Sequence, residues 1–237
     1  MCREEGRAPQ SVFTGEGHAP APLNAAELAQ GGPPAAEAAL DLPGWILPAW
    51  HEALGDTADA VALAMRDRAP VWLRANLLRA TPAEAVAALA SDQIEAIPHP
   101  DLPTALCVRT GARRLANSSA YRKGLVELQD LSPQLACSLL PDRGSLLDYC
   151  AGGGGKALAL AARGLSPGTA HDADPRRMSD LPARADRAGA QVRVATTDKL
   201  SGRFDLVVAD VPCSGSGTWR RTPDAKWRLT GAQLAAL

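Results

Sequence analysis

Three parts of this chain combine residue types and spacings that could do chemistry, and all lie beyond residue 145. The first is the string Asp148-Tyr149-Cys150-Ala151-Gly152-Gly153-Gly154-Gly155-Lys156. Glycines let a chain bend sharply from strand into helix and let a ligand reach bare backbone. A helix start adds unpaired N–H groups and a partial positive charge. The string is not a Walker loop, because Ala157 follows Lys156 where Ser or Thr is required, and it lacks the G-x-G-x-x-G register of nicotinamide sites. The second part is a pair of spaced acids. Asp172 stands 24 residues after Asp148, where a carboxylate can accept both hydroxyls of a ribose. Asp198 could receive an exocyclic adenine amine or simply close an Asx-turn. Asp174, just before Pro175, is expected to cap the next helix. The third part runs from Asp210 through Pro212, Cys213, Ser214, Gly215, Arg220 and Arg221 to Lys226 and Trp227. The cations Arg220, Arg221, Lys226 and Arg228, with Trp219 and Trp227 between them, suit phosphate contacts and base stacking.

These groups need a scaffold, and the hydrophobic pattern supplies one. Residues 146–150, 169–172, 191–194 and 204–210 read as strands, with helices expected over 156–163 and 178–188. Such alternation predicts a parallel sheet covered on both faces, with ligands held beyond the carboxyl ends of its strands. Upstream, residues 71–77 and 106–108 read as strands. Thr81, Pro82 and Glu84 have the spacing of a capped helix start, and that helix is expected to run to about Ala90. Residues 125–140 read as partly helical, with Leu128, Leu131, Leu135 and Leu139 on one side, Ser132 as cap and Pro133 at the start. The stretch before residue 44 reads as a poorly ordered tail. Within it Asn24 could cap a short helix to Gln30, ended by Gly31, Gly32, Pro33 and Pro34. Trp45, Ile46 and Trp50 read as packing residues of a following helix, and Val61 to Met65 as a second short helix.

The 237 residues are 46% hydrophobic and 22% charged, which excludes a fibrous or wholly disordered chain. The net charge of −1 excludes a uniformly basic nucleic-acid binder. The charge is uneven, however: residues 1–100 carry 6 cations against 13 acids, and the remainder 19 against 13. From residue 105 to 126 stand Arg109, Arg113, Arg114, Arg122 and Lys123 with no acid among them, which points to a polyanionic partner for this half. Five widely spaced cysteines form no C-x-x-C pair, so neither a disulfide framework nor a metal site is expected, and a reducing cytoplasm fits best. Cys2, Cys107 and Cys137 are expected to have no chemical role. No apolar run reaches the roughly 20 residues of a bilayer span, so no membrane role is expected.

The third string resembles the D-x-P-C-S-G-S-G…R-R-x-P-D-x-K-W motif of the RNA (cytosine-5) methyltransferases, and the first resembles their D-x-C-A-x-x-G-G-K motif. The stretch Tyr121-Arg122-Lys123-Gly124-Leu125-Val126-Glu127-Leu128-Gln129-Asp130 is similar to the segment that precedes the catalytic domain in the RsmB/Sun-like bacterial ribosomal RNA branch. The resemblance covers about residues 43–237. It implies a Rossmann-like class I S-adenosylmethionine methyltransferase sheet of about four parallel strands, preceded by a small α/β RNA-binding module. It also implies methylation of C5 of cytosine to 5-methylcytosine, in 16S ribosomal RNA. By the resemblance Cys150, Ala151, Gly153 and Gly155 line the methionine and ribose side with Lys156 nearby. Asp172 holds the ribose, Asp198 the adenine edge, and Asp210 the floor beside the cytosine. Cys213 assists proton removal from C5. Arg113, Arg114, Arg122, Lys123, Arg220, Arg221 and Lys226 are expected to contact RNA.

The family also uses a cysteine of a later Thr-Cys-Ser motif to attack C6 of cytosine, and no such motif stands in this sequence. The expectation is a truncated chain without its nucleophile, unable to methylate RNA as written. The alternative is a non-catalytic module that binds donor and RNA. An amino-group methyltransferase fits less well, because Asp210-Val211-Pro212-Cys213 stands where those enzymes carry D/N-P-P-Y/W. The expected division is a tail over 1–44, helices and RNA-binding module over 45–135, and a partial methyltransferase domain over 136–237.

Overall fold

The structure, a computed structural model, describes residues 6–30 and 39–236. The chain forms two compact units: Met1–Asp67 with Ser216–Ala236, and Arg68–Gly215.

In the first unit a short turn, Pro9–Ser11, precedes helix α1 (Ala25–Gln30). Asn24 and Glu27 cap it reciprocally: the Asn24 side chain accepts the Glu27 N–H at 2.9 Å, and Glu27 accepts the Asn24 N–H at 2.8 Å. The glycines and prolines expected to end this helix lie outside the described residues. Helices α2 (Leu47–Leu54) and α3 (Ala58–Ala64) follow. The Trp50 indole N–H donates to the Ala58 carbonyl at 2.9 Å and so ties them together.

The second unit holds two four-stranded sheets. The first contains β1 (Val71–Ala75), then helix α4 (Pro82–Ser91), β2 (Glu95–His99), β3 (Leu102–Thr110), helix α5 (Ser119–Arg122) and β4 (Val126–Leu128). Strand order is β2-β3-β1-β4, antiparallel throughout. The capping box at α4 forms as the sequence predicts. Leu73, Leu89, Ile94, Leu106 and Val126 fill the core beneath this sheet. Sequence reading misses β2 and β4. Strand β2 carries Pro98, tolerated because β2 is an edge strand whose pairing with β3 is irregular between Pro98 and His99. β4 is three residues long and is fixed by pairing with β1 rather than by local propensity.

Helix α6 (Leu131–Ser138) therefore starts at Leu131 after Asp130, and not after Ser132. Its buried side chains are Gln134 and Cys137, while Leu139, expected on the packed side, is 87% exposed. The buried Gln134 amide donates to the carbonyls of Leu73 and Gln129, at 3.2 and 2.8 Å, while its Oε1 is buried without a partner among the described residues.

The second sheet comprises β5 (Gly144–Asp148), helix α7 (Gly155–Ala161), β6 (Leu165–Ala170), helix α8 (Leu181–Ala188), β7 (Val192–Val194) and β8 (Leu206–Val208). All its pairings are parallel, in the order β7-β6-β5-β8. Strands β5, β6 and β7 progress to one side and β8 returns to the other. The topological switch point, where open sheets of this kind hold ligands, thus lies between β5 and β8. Every residue from Ala157 to Ala161 in α7 is buried, so the helix that follows the glycines is core on all sides.

The chain then rejoins the first unit through α9 (Ala225–Arg228) and α10 (Gly231–Ala235). Two expectations need correction here. Trp219 is not a stacking surface for bases: it is 2% exposed, packs with Leu42, Ile46 and Ala62, and stacks on Trp50 at 6.5 Å between ring centroids. Lys226 is not free for RNA either, because its side chain is 2% exposed and pairs with Asp41 at 2.5 Å. Both residues fill the helical unit, which is also why residues 216–236 group with the N-terminal helices and not with the parallel sheet.

Candidate active site

The carboxyl ends of the parallel strands bring the candidate residues to one edge of the second sheet. Asp148 closes β5 and is 1% exposed. Its Oδ2 accepts the Ala157 N–H of α7 at 3.0 Å, while its Oδ1 is buried without a partner among the described residues. Burial pushes the Asp148 carboxyl up to about 6, against the pull of the Ala157 N–H and the Lys156 charge.

The chain then bends. The Tyr149 N–H donates to the Val208 carbonyl of β8, and the Ala151 N–H to the His171 carbonyl beyond β6, each at 2.8 Å. Gly154 has φ +79°, and a Cβ there would lie 2.2 Å from Leu181 Cδ1, so the bend needs glycine at that position for conformation and for space. Cys150 sits half-buried in this bend.

Asp172, 5% exposed, holds the bend from the neighbouring strand end. Its carboxylate accepts the Gly152 N–H at 2.9 Å and the Asp174 N–H at 3.0 Å, and Arg177 approaches to 3.3 Å. Asp174 caps the next turn by accepting the Arg176 N–H, as expected. Lys156, on the first turn of α7, forms an ion pair with Asp210 beyond β8. Cys213 follows Asp210 by three residues and is exposed. Asp198 lies exposed on the Thr197–Lys199 turn after β7. By contrast, Cys107 and Cys137 are buried, and burial pushes the Cys137 thiol up, which suits packing better than chemistry.

Of the RNA-directed cations, Arg113, Arg114, Arg122 and Lys123 belong to the second unit, and Arg220 and Arg221 to the first. Arg122 donates to Asn117 at 2.8 Å, and Arg220 to the Asp67 carbonyl at 3.0 Å.

Sequence reading misses two supports of this edge. His171, 3% exposed, bonds the Tyr149 carbonyl and the Thr197 hydroxyl, each at 2.9 Å, and stacks on the Tyr149 ring at 4.6 Å. It thereby ties the ends of β5, β6 and β7, including the turn that carries Asp198. The second support comes from β4. Glu127, 1% exposed, pairs with Arg184 at 2.9 Å and also with Arg187. Arg184 in turn donates to the Gly153 carbonyl. In parallel, Arg74 donates to Gln129 at 2.7 Å and Gln129 to the Gly155 carbonyl at 3.2 Å. The first sheet thus holds two carbonyls of the glycine bend. Burial pushes the Arg74 guanidinium down to about 10.

Among the described residues no helix is long and apolar enough to cross a membrane, and no group of His, Cys, Asp and Glu could hold a metal ion.

Residues 137–237 match the family model described as 16S rRNA methyltransferase RsmB/F, and residues 42–113 match the RsmF/B-like methyltransferase, ferredoxin-like domain. The ribosomal RNA small subunit methyltransferase B of Vibrio cholerae is 33% identical over 205 residues, covering 82% of this chain and 47% of the relative. Its namesake from Yersinia enterocolitica is 33% identical over 205 residues, covering 82% and 48%. The chain spans about half the length of the curated relatives it matches. Among solved structures, PH0851 is similar with a TM-score of 0.77 at 25% identity, over 92% of this chain and 51% of that one. A methyltransferase homolog protein from Pyrococcus horikoshii shares the fold, with a TM-score of 0.67 at 24% identity over 79% and 65%.

Proposed function

The chain belongs to the RsmB/F family of 16S rRNA methyltransferases, and on that premise we propose that it binds S-adenosylmethionine at the glycine bend and serves methyl transfer to C5 of cytosine in small-subunit ribosomal RNA. The observation that carries the reading is the Lys156–Asp210 pair at the switch point. It joins the start of the glycine helix to the loop that bears Cys213.

The residues fit such a donor. A buried carboxylate oxygen of Asp148 is unpartnered among the described residues, a helix start is lined with bare glycines, and a second buried carboxylate, Asp172, stands at the next strand end. When bound, the donor supplies an electrophilic methyl group on a sulfonium. Cys150, Ala151, Gly153 and Gly155 line its methionine and ribose side, Asp172 takes the ribose hydroxyls, and Asp198 the adenine edge. Asp210 floors the cytosine site with Lys156 beside it, and Cys213 assists loss of the C5 proton. The target base has to leave its stack to present its face. Addition to C6 of neutral cytosine requires a thiolate, and no Thr-Cys-Ser cysteine stands in these 237 residues. That favours a second reading, in which the 237 residues hold donor and RNA without turnover.

Retention of labelled donor and of unmodified 16S RNA by the 237-residue chain tests this, read alongside 5-methylcytosine formation. Both ligands are expected to be retained on either reading, and on the second reading product is no higher than for Cys213→Ala. Failure to retain the donor overturns the proposal, and product above that control overturns the need for a further cysteine.

The Asp148 carboxyl adds a pH signature. It is ionised above about 6 and neutral below, so it attracts the ammonium of the donor only at the higher pH. Donor affinity is expected to be about tenfold weaker at pH 5 than at pH 7. Asp148→Asn should bind with a flat profile over that range. Equal affinities at the two pH values in the unaltered chain would remove Asp148 from the site.

A further inference from the structure

Four arginines meet in a cleft that shares no lining residue with the glycine bend. The cleft measures about 600 Å³ and is lined by Arg68, Val71, Val108, Arg109, Arg113 and Arg114, among others. Backbone geometry assembles it. Antiparallel pairing sets Val71 opposite Val108, which brings the approach to β1 beside the end of β3. Gly111 then turns the chain with φ +79°, and a Cβ there would stand 2.4 Å from the Gln93 carbonyl oxygen. The tight turn Ala112–Asn117 follows, pinned by the buried Leu115, and returns Arg113 and Arg114 to the cleft. Arg114 is steadied by donating to the Gln93 carbonyl at 3.2 Å.

None of these four arginines forms an ion pair among the described residues, and all four are exposed. Two acids on adjoining elements are engaged elsewhere: Glu95 accepts from the Thr110 hydroxyl and Asp92 from the Ala120 N–H. Four unneutralised guanidinium forks around a partly apolar floor of Pro70, Val71, Val108 and Ala112 match the chemistry of a sugar-phosphate strand. An acidic peptide would satisfy the charges but gains less from forks that suit phosphate geometry.

We propose that this cleft is a phosphate-binding subsite of the first sheet, taking consecutive phosphodiesters of single-stranded RNA. It rests on the reading of RNA as substrate and deepens it by adding Arg68 to the basic run and giving Arg68, Arg109, Arg113 and Arg114 one shared site.

The test is binding of a short single-stranded RNA to the 237-residue chain across a salt series. Arg109→Gln with Arg113→Gln should weaken binding by about tenfold and lower the log–log salt slope by about 1.4, at roughly 0.7 for each phosphate no longer neutralised. Arg109→Lys with Arg113→Lys, which keeps the charge, should retain most of the slope and shows that loss in the Gln variant is not misfolding. Donor binding should be unchanged in every variant. Unaltered affinity and slope in the Gln variant overturn the cleft while leaving the donor site standing. Absence of RNA binding in the unaltered chain overturns both the cleft and the RNA reading. Competition by inorganic phosphate as effective per site as RNA would mean a small-anion site and overturns the strand assignment.

Discussion

Asp172→Ala is expected to weaken donor binding by at least about 100-fold, or about 3 kcal/mol. The carboxylate does two jobs at once. It accepts the Gly152 and Asp174 N–H groups at 2.9 and 3.0 Å and so shapes the glycine bend. It also offers the buried negative charge that ribose hydroxyls would donate to. Each hydrogen bond to a charged group contributes about 1.5–3 kcal/mol, so losing two or more accounts for the size of the effect. Asp172→Asn is expected to fall between, because one amide oxygen can serve only part of the set while the amide NH2 meets an N–H. Calorimetry with S-adenosylhomocysteine reads the difference. Affinity within about threefold of the unaltered chain would show that the bend holds its ligand without Asp172.

Glu127→Ala is expected to destabilise the chain by about 3–5 kcal/mol. Glu127 is 1% exposed and answers both Arg184 and Arg187, whose side chains are only 22% exposed. Removing it leaves two poorly solvated cations facing each other, with Arg187 otherwise held over the Tyr121 ring at 4.4 Å. Urea unfolding should show a lower midpoint at an unchanged slope. Replacing Glu127, Arg184 and Arg187 together by apolar residues of similar volume should recover most of that loss, but not donor affinity, because Arg184 also holds the Gly153 carbonyl. A Glu127→Ala midpoint equal to that of the unaltered chain would contradict the role of the pair as the link between β4 and the glycine bend.

Local signals in the sequence are enough to find the parallel sheet and the glycine bend. A strand running into four glycines and an apolar helix admits few other structures, and Asp148, Asp172 and Asp210 follow because strand ends of a parallel sheet share an edge. What stays hidden depends on partners distant in sequence. Glu127 meets its arginines 57 and 60 residues away, and nothing near Glu127 announces them. β4 is too short to show a period, and β2 contains a proline. The basic string after Cys213 misleads in part. Its composition suits RNA, yet Trp219 and Lys226 are claimed by a helical unit whose other half lies before Asp67. His171 looks like an ordinary strand residue, although its two ring nitrogens fasten three strand ends.

Amide chemical shifts of isotope-labelled chain, followed while S-adenosylhomocysteine is added, probe the proposed donor pocket most directly. Gly152 through Lys156, Asp172, Asp198 and Asp210 should move together along one saturation curve. Shifts confined to other parts of the chain, or none at all, would contradict a nucleoside pocket at the carboxyl edge of the parallel sheet.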